Sequence, residues 1–320
     1  VKPAFFFKPH QHKGKAYLEA LLAAGYCKTR NLEKAQFVFL DFLYAGLFSG
    51  LHGNGMLRKE ATHAVEHGKP VFLYPHFCSP WLPHDLEVEP LAAAAFFCHS
   101  AGYAKVLEMI GYPTPTEVVG WSYSEVRPFA PFVGRKPQVL FAPLHPVGGT
   151  LPQVEREINE HVFRTLVALR TAGVLAKLTV RFYGSLATNG LHRHSDVNYQ
   201  EALLTGRTDD MERADVVVSA GTYAHMAVAL GKPTVMMGQD IRPHNTPRGG
   251  GQMAWVRNWE LYRDFARFPH SIEMSTGSSV AAETIKRACE GTASVEDWKA
   301  NHIGHQFNPQ HFISRLEAYL

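Results

Sequence analysis

The segment RADVVVSAGTYAHMAVALGKPTV, residues 213–235, decides how the chain folds. Its run Val216-Val217-Val218 is short, β-branched and bounded by Asp215 and Ser219, so it reads as a buried strand. Small residues follow from Ser219 to Thr222, then a helical pattern over 223–230. Gly231, Lys232 and Pro233 stop that pattern before a second apolar run at 234–237. Strand, small-residue loop, helix and strand make a βαβ unit, and strands apolar on both faces belong in a parallel sheet covered by helices.

The same alternation extends in both directions. In the second half, strands are expected over 139–142, 178–183, 216–218 and 234–237, with helices over 154–172, near 199–204 and over 223–230. Further helices are expected near 283–289 and over 311–320. In the first half, strands over 4–7, 37–40, 71–74, 94–98 and 117–119 alternate with helices over 16–24, 57–66 and 103–110. Between the halves, 122–137 carries Pro128, Pro131, Pro137 and Gly134 without sustained periodicity and reads as a linker. The expected organisation is therefore an N-terminal βα domain over 1–133, a second over 134–307, and a C-terminal helix over 308–320 packing back on the first. That is α/β architecture, with two Rossmann-like lobes facing a central cleft. A length of 320 residues fits two such lobes.

Composition narrows the function classes. With 46% hydrophobic and 19% charged residues the chain is globular rather than disordered, and a net charge of +3 gives no general polyanion-binding signature. Cys27, Cys78, Cys98 and Cys289 form no CxxC pair, so neither a zinc knuckle nor a disulfide framework is indicated. No apolar run approaches the ~20 residues that cross a bilayer. These features together predict a cytoplasmic protein.

Ligands of open α/β sheets bind beyond the carboxyl ends of the strands. Ser219, Gly221 and Thr222 occupy such an end, where the next helix begins with unpaired N–H groups and the positive end of its dipole, a setting for a diphosphate. Over 214–235 the segment resembles the donor-binding part of the GT-B glycosyltransferases, whose pattern is an Asp-led apolar strand, a small-residue loop, a helix and Leu-Gly-Lys/Arg-Pro. It also looks like the corresponding part of CDP-glycerol glycerophosphotransferases and hexosamine 2-epimerases. The resemblance implies a GT-B fold and a nucleotide-sugar donor. Where many retaining members carry a ribose-binding glutamate, this chain has Tyr223 and His225, which makes His225 a donor-contact candidate.

Further donor-side candidates follow other strands. His145, Gly148 and Gly149 lie after the 139–142 strand, where glycines permit close backbone approach. Arg181 and Tyr183 alternate onto one face of the next strand, suited to phosphate and base, and a structural salt bridge at Arg181 is an equal expectation. Asp240 follows the 234–237 strand and suits sugar hydroxyls; His244 and Arg248 lie in the glycine-rich loop beyond it.

For a general base, Asp41 and His52 rank above His10 and His76, since Asp41 ends a strand and His52 sits in the glycine-rich loop that follows. His10-Gln11-His12 and His192-Arg193-His194 lack a third ligand at diagnostic spacing, and no DxD pair is present. The expectation is therefore no essential metal and no cofactor beyond the nucleotide-sugar substrate. The acceptor is expected to be a hydroxyl of unspecified identity. Arg242, Arg248, Arg257, Arg263 and Arg267 leave a polyanion such as DNA open as acceptor or partner. Alternatives on the same fold are CDP-alditol phosphotransfer, nucleotide-sugar 2-epimerisation, and a non-catalytic or nucleic-acid-associated binding protein.

Overall fold

The computed structural model describes residues 2–8, 14–41, 59–75, 93–109, 112–144, 153–201, 208–239, 265 and 267–320. The chain divides into two compact units, one holding Val1–Glu125 and Asn301–Leu320, the other Val126–His244 and Arg263–Ala300.

In the first unit the order is β1 (Ala4–Lys8), α1 (Lys15–Ala23), β2 (Cys27–Thr29), β3 (Phe37–Asp41), α2 (Lys59–Glu66), β4 (Val71–Tyr74), β5 (Ala95–Cys98), α3 (Ala101–Met109) and β6 (Thr116–Val118). The strands form one parallel sheet in the order β2-β1-β3-β4-β5-β6. The sequences FVFLD, VFLY and AFFC are buried at every residue, as strands covered on both faces require, whereas the polar CKT of β2 sits at an edge and is partly exposed.

The second unit contains β7 (Gln138–Ala142), α4 (Gln153–Thr171), β8 (Lys177–Phe182), β9 (Asn198–Glu201), α5 (Asp209–Arg213), β10 (Val216–Ser219), α6 (Gly221–Ala229), β11 (Thr234–Met237), β12 (Ser271–Ile272) and α7 (Ser278–Glu290). Its sheet is also parallel, ordered β12-β11-β10-β7-β8-β9. α8 (Ala293–His302) and α9 (Pro309–Glu317) end the chain. Phe312 of α9 packs in the first unit, 5.3 Å from Tyr17, 5.5 Å from Phe39 and 5.0 Å from Phe97, measured between ring centroids.

Two features differ from the sequence expectation. The helix expected near 199–204 is replaced by β9, whose Asn198 to Glu201 pair with Thr179 to Phe182 of β8. A free edge offers backbone partners to a polar segment whatever its local pattern, so tertiary pairing decides. β2, β12 and α8, which carry no strong periodic signal, were not among the expected elements. The change of unit falls at Glu125–Val126, inside the linker expected over 122–137, and the return at Asn301. The earlier change has a physical basis: Arg127 N–H donates to Ala229 O at 2.8 Å and Ala130 N–H to Gly231 O at 2.9 Å.

Among the described residues no helix is long and apolar enough to cross a membrane.

Candidate functional site

Read from β9, the second sheet runs third, second, first, fourth, fifth, sixth in chain order, the dinucleotide-fold arrangement whose order reverses between β7 and β10. Helices leave adjacent strands in opposite directions at such a point, opening a crevice at the strand ends. α6 starts there. Its first residues, Gly221 to Tyr223, are half-buried, while Ala224 to Leu230 are buried throughout. Ala220, at the N-cap, supplies no side-chain hydrogen bond to the first turn. Gly221 has φ of +57°, and a β-carbon placed on it meets no atom of the described residues within 4 Å. The sequence Ala-Gly-Thr thus presents a helix N-terminus at the reversal point.

Other motif residues hold the scaffold. Ser219 donates from Oγ to Ala142 O at 2.8 Å, tying β10 to β7. Asp215 accepts from Gln138 N–H at 2.9 Å. Lys232 Nζ donates to Glu212 O at 2.8 Å and Ala214 O at 3.0 Å. Gly231 has φ of +72°, and a β-carbon there would lie 1.9 Å from Pro128 O. The Gly-Lys pair of the Leu-Gly-Lys-Pro signature is therefore explained by packing and backbone hydrogen bonds.

Arg181 sits 6% exposed with Nη1 donating to Asp210 Oδ2 at 2.8 Å and Tyr223 Oη at 2.7 Å, while Tyr223 Oη–H donates to Asp210 Oδ1 at 2.8 Å. The salt-bridge expectation for Arg181 is thus realised with an acid from α5, and the triad clamps the first turn of α6 against β8. Burial works against the guanidinium charge, but Tyr223 and Asp210 outweigh it and raise Arg181 above its ordinary value. Burial raises the Tyr223 phenol, Arg181 opposing and Asp210 reinforcing.

His225 is 1% exposed, its Nδ1 2.8 Å from Gly221 O and its ring 5.0 Å from Trp298, which places it in the core of this unit. Tyr183 is half-buried, and its carbonyl accepts from Asn189 Nδ2 at 2.8 Å. Thr222 stands in the half-buried first turn of α6.

Two residues outside the sequence candidates lie in the first two turns of α4, the helix that follows β7. Asn159, wholly buried on α4, accepts from Leu144 N–H at 2.8 Å and donates to Leu144 O at 2.8 Å, fixing the chain as it leaves β7. An asparagine on the apolar face of a helix was the available signal. Glu155, in the first turn of α4, is raised by burial.

In the first unit the strand order β2-β1-β3-β4-β5-β6 reverses between β1 and β3, and Asp41 closes β3 at that point, wholly buried. The candidates His52, His145, Gly148, Gly149 and Asp240 lie outside the described residues, as do His10, His12, His76, His244, Arg242, Arg248, Arg257 and Arg263.

No family model and no curated protein matches the chain. Solved structures do. A putative UDP-N-acetylglucosamine 2-epimerase from Listeria monocytogenes aligns over 100% of this chain and 96% of its own, at 9% identity and a TM-score of 0.57. The glycotransferase of kitacinnamycin aligns over 99% and 98%, at 11% identity and 0.54. Spinosyn forosaminyltransferase SpnP aligns over 99% and 98%, at 13% identity and 0.53. The chain has the GT-B fold. The GT-B likeness spans both units, and at such low identity it reports architecture alone.

Proposed function

We propose that the chain transfers a glycosyl unit from a nucleoside-diphosphate sugar to a hydroxyl acceptor. The observation that supports this reading best is the start of α6: a helix N-terminus at the sheet's reversal point that Ala220 does not cap through a side chain, with no atom of the described residues within 4 Å of a β-carbon placed on Gly221. Backbone N–H groups of the first turn would receive the diphosphate, and the helix dipole would stabilise charge as it develops on the leaving group. The bond from the anomeric carbon to the diphosphate oxygen breaks, a bond from that carbon to the acceptor oxygen forms, and the acceptor proton passes to a base. Asp41 is the proposed base among the described residues, and His52 is the other candidate.

A second reading is 2-epimerisation of a nucleotide sugar, favoured by the name carried by one structural neighbour. Donor turnover separates the two. Transfer releases a nucleoside diphosphate in proportion to an added acceptor, whereas epimerisation proceeds without one. Asp41→Asn is expected to lower acceptor-dependent turnover by ~10²–10⁴-fold with donor binding retained. Undiminished turnover in that variant excludes Asp41 as the base, and turnover independent of acceptor replaces transfer with epimerisation.

A further inference from the structure

A separate group of side chains able to ligate a metal gathers at the C-terminal end of α2 in the first unit. His63 and His67 stand four residues apart, so they share one helix face. Their rings stack with centroids 3.9 Å apart. His67 Nδ1 lies 2.8 Å from the carbonyl oxygen of His63, which selects the Nδ1–H tautomer and leaves Nε2 as the basic nitrogen. Glu33 comes from the turn after β2, and its Oε1 lies 2.8 Å from His63 Nε2. One ligand atom from each of Glu33, His63 and His67 lies within 4.8 Å of the other two, a grouping of three found nowhere else among the described residues.

The carboxylate rests on a fixed backbone. Glu33 N–H donates to Asn31 Oδ1 at 2.9 Å, and Glu33 O accepts from Lys69 Nζ at 2.8 Å. Lys69 also donates to Leu32 O at 2.7 Å, while its own N–H donates to Ala64 O at 2.8 Å. Turn and helix are thus held as one piece, so the backbone that carries the third ligand is placed before any ion arrives.

We propose that Glu33, His63 and His67 bind a divalent transition-metal ion of the zinc class, through both Nε2 atoms and one carboxylate oxygen, with water completing four-coordination. Metal–ligand distances of ~2.0–2.1 Å separate tetrahedral ligand atoms by about 3.3 Å. The 2.8 Å contact between Glu33 and His63 therefore has to open by roughly half an ångström, and the Glu33 side chain, 65% exposed, is able to move. Two imidazoles and a single carboxylate suit zinc or cobalt, whereas calcium and magnesium favour all-oxygen sets.

The test is a cobalt(II) titration of the full chain, without a histidine tag, followed through the visible absorption of four-coordinate cobalt and reversed with zinc(II). One equivalent is expected to develop the absorption, and one equivalent of zinc to abolish it. His67→Gln and Glu33→Gln, both at exposed positions, are each expected to weaken binding at least tenfold, while His192→Gln leaves it unchanged. Equal uptake by the parent chain and His67→Gln, or loss of the absorption in His192→Gln, would overturn the proposal. Metal-free thermal midpoints of the variants should match the parent, which separates lost ligation from lost folding.

Discussion

At the scale of single residues, two glycines of the 213–235 segment do different work. Both have positive φ, but a β-carbon on Gly231 would lie 1.9 Å from Pro128 O, whereas on Gly221 it meets no atom of the described residues within 4 Å. Gly221→Ala should cost only the left-handed backbone penalty of ~1–2 kcal/mol. Gly231→Ala adds displacement of the chain near Pro128 and should cost clearly more than ~2 kcal/mol, as read from denaturant midpoints. Equal losses would mean that the contact with Pro128 is dispensable. His270 yields a pH prediction. It is 2% exposed, and burial first, then Arg287, lower its pKa below 6.5. The folded state therefore binds fewer protons than the unfolded chain, so the His270 contribution is intact above pH 6.5 and declines as pH falls toward the folded value. His270→Phe should flatten the stability profile below pH 6.5, and a profile parallel to the parent's would remove His270 from the account.

At the scale of elements, the Arg181–Asp210–Tyr223 triad joins β8, α5 and α6. Removing the acid strands a buried guanidinium: Asp210→Ala is expected to cost about 3–5 kcal/mol in urea unfolding, and the double variant Arg181→Met with Asp210→Ala to recover much of it. A double variant as unstable as the single would show that the buried charge is not the source of the loss. This triad also marks where sequence reading stops. Runs such as FVFLD and VVVS announce buried strands from composition alone, and the small residues before α6 announce a helix start. Nothing local tells Arg181 that its partner lies 29 residues downstream. The polar strand Asn198–Glu201 was misread for the same reason, because its structure comes from pairing with β8.

At the scale of the whole molecule, two successive βα units were legible from the alternation of apolar runs and helical patterns, but strand order was not, since it depends on which edges pair. That order supplies the strongest functional constraint: Asp41 and Gly221 both fall at carboxyl strand ends where their sheets reverse. The central claim is that the start of α6 holds a nucleoside diphosphate. Thermal unfolding with UDP, GDP, CDP and ADP tests it most directly, because a ligand that binds only the folded state stabilises it by ~2.7 kcal/mol at a hundredfold excess over Kd. We predict that at least one of these nucleotides raises the midpoint of the parent chain, that Gly221→Ala weakens this effect at least tenfold in concentration, and that Asp41→Asn preserves it. No shift with any of the four, or the same dose dependence in Gly221→Ala, would contradict the claim.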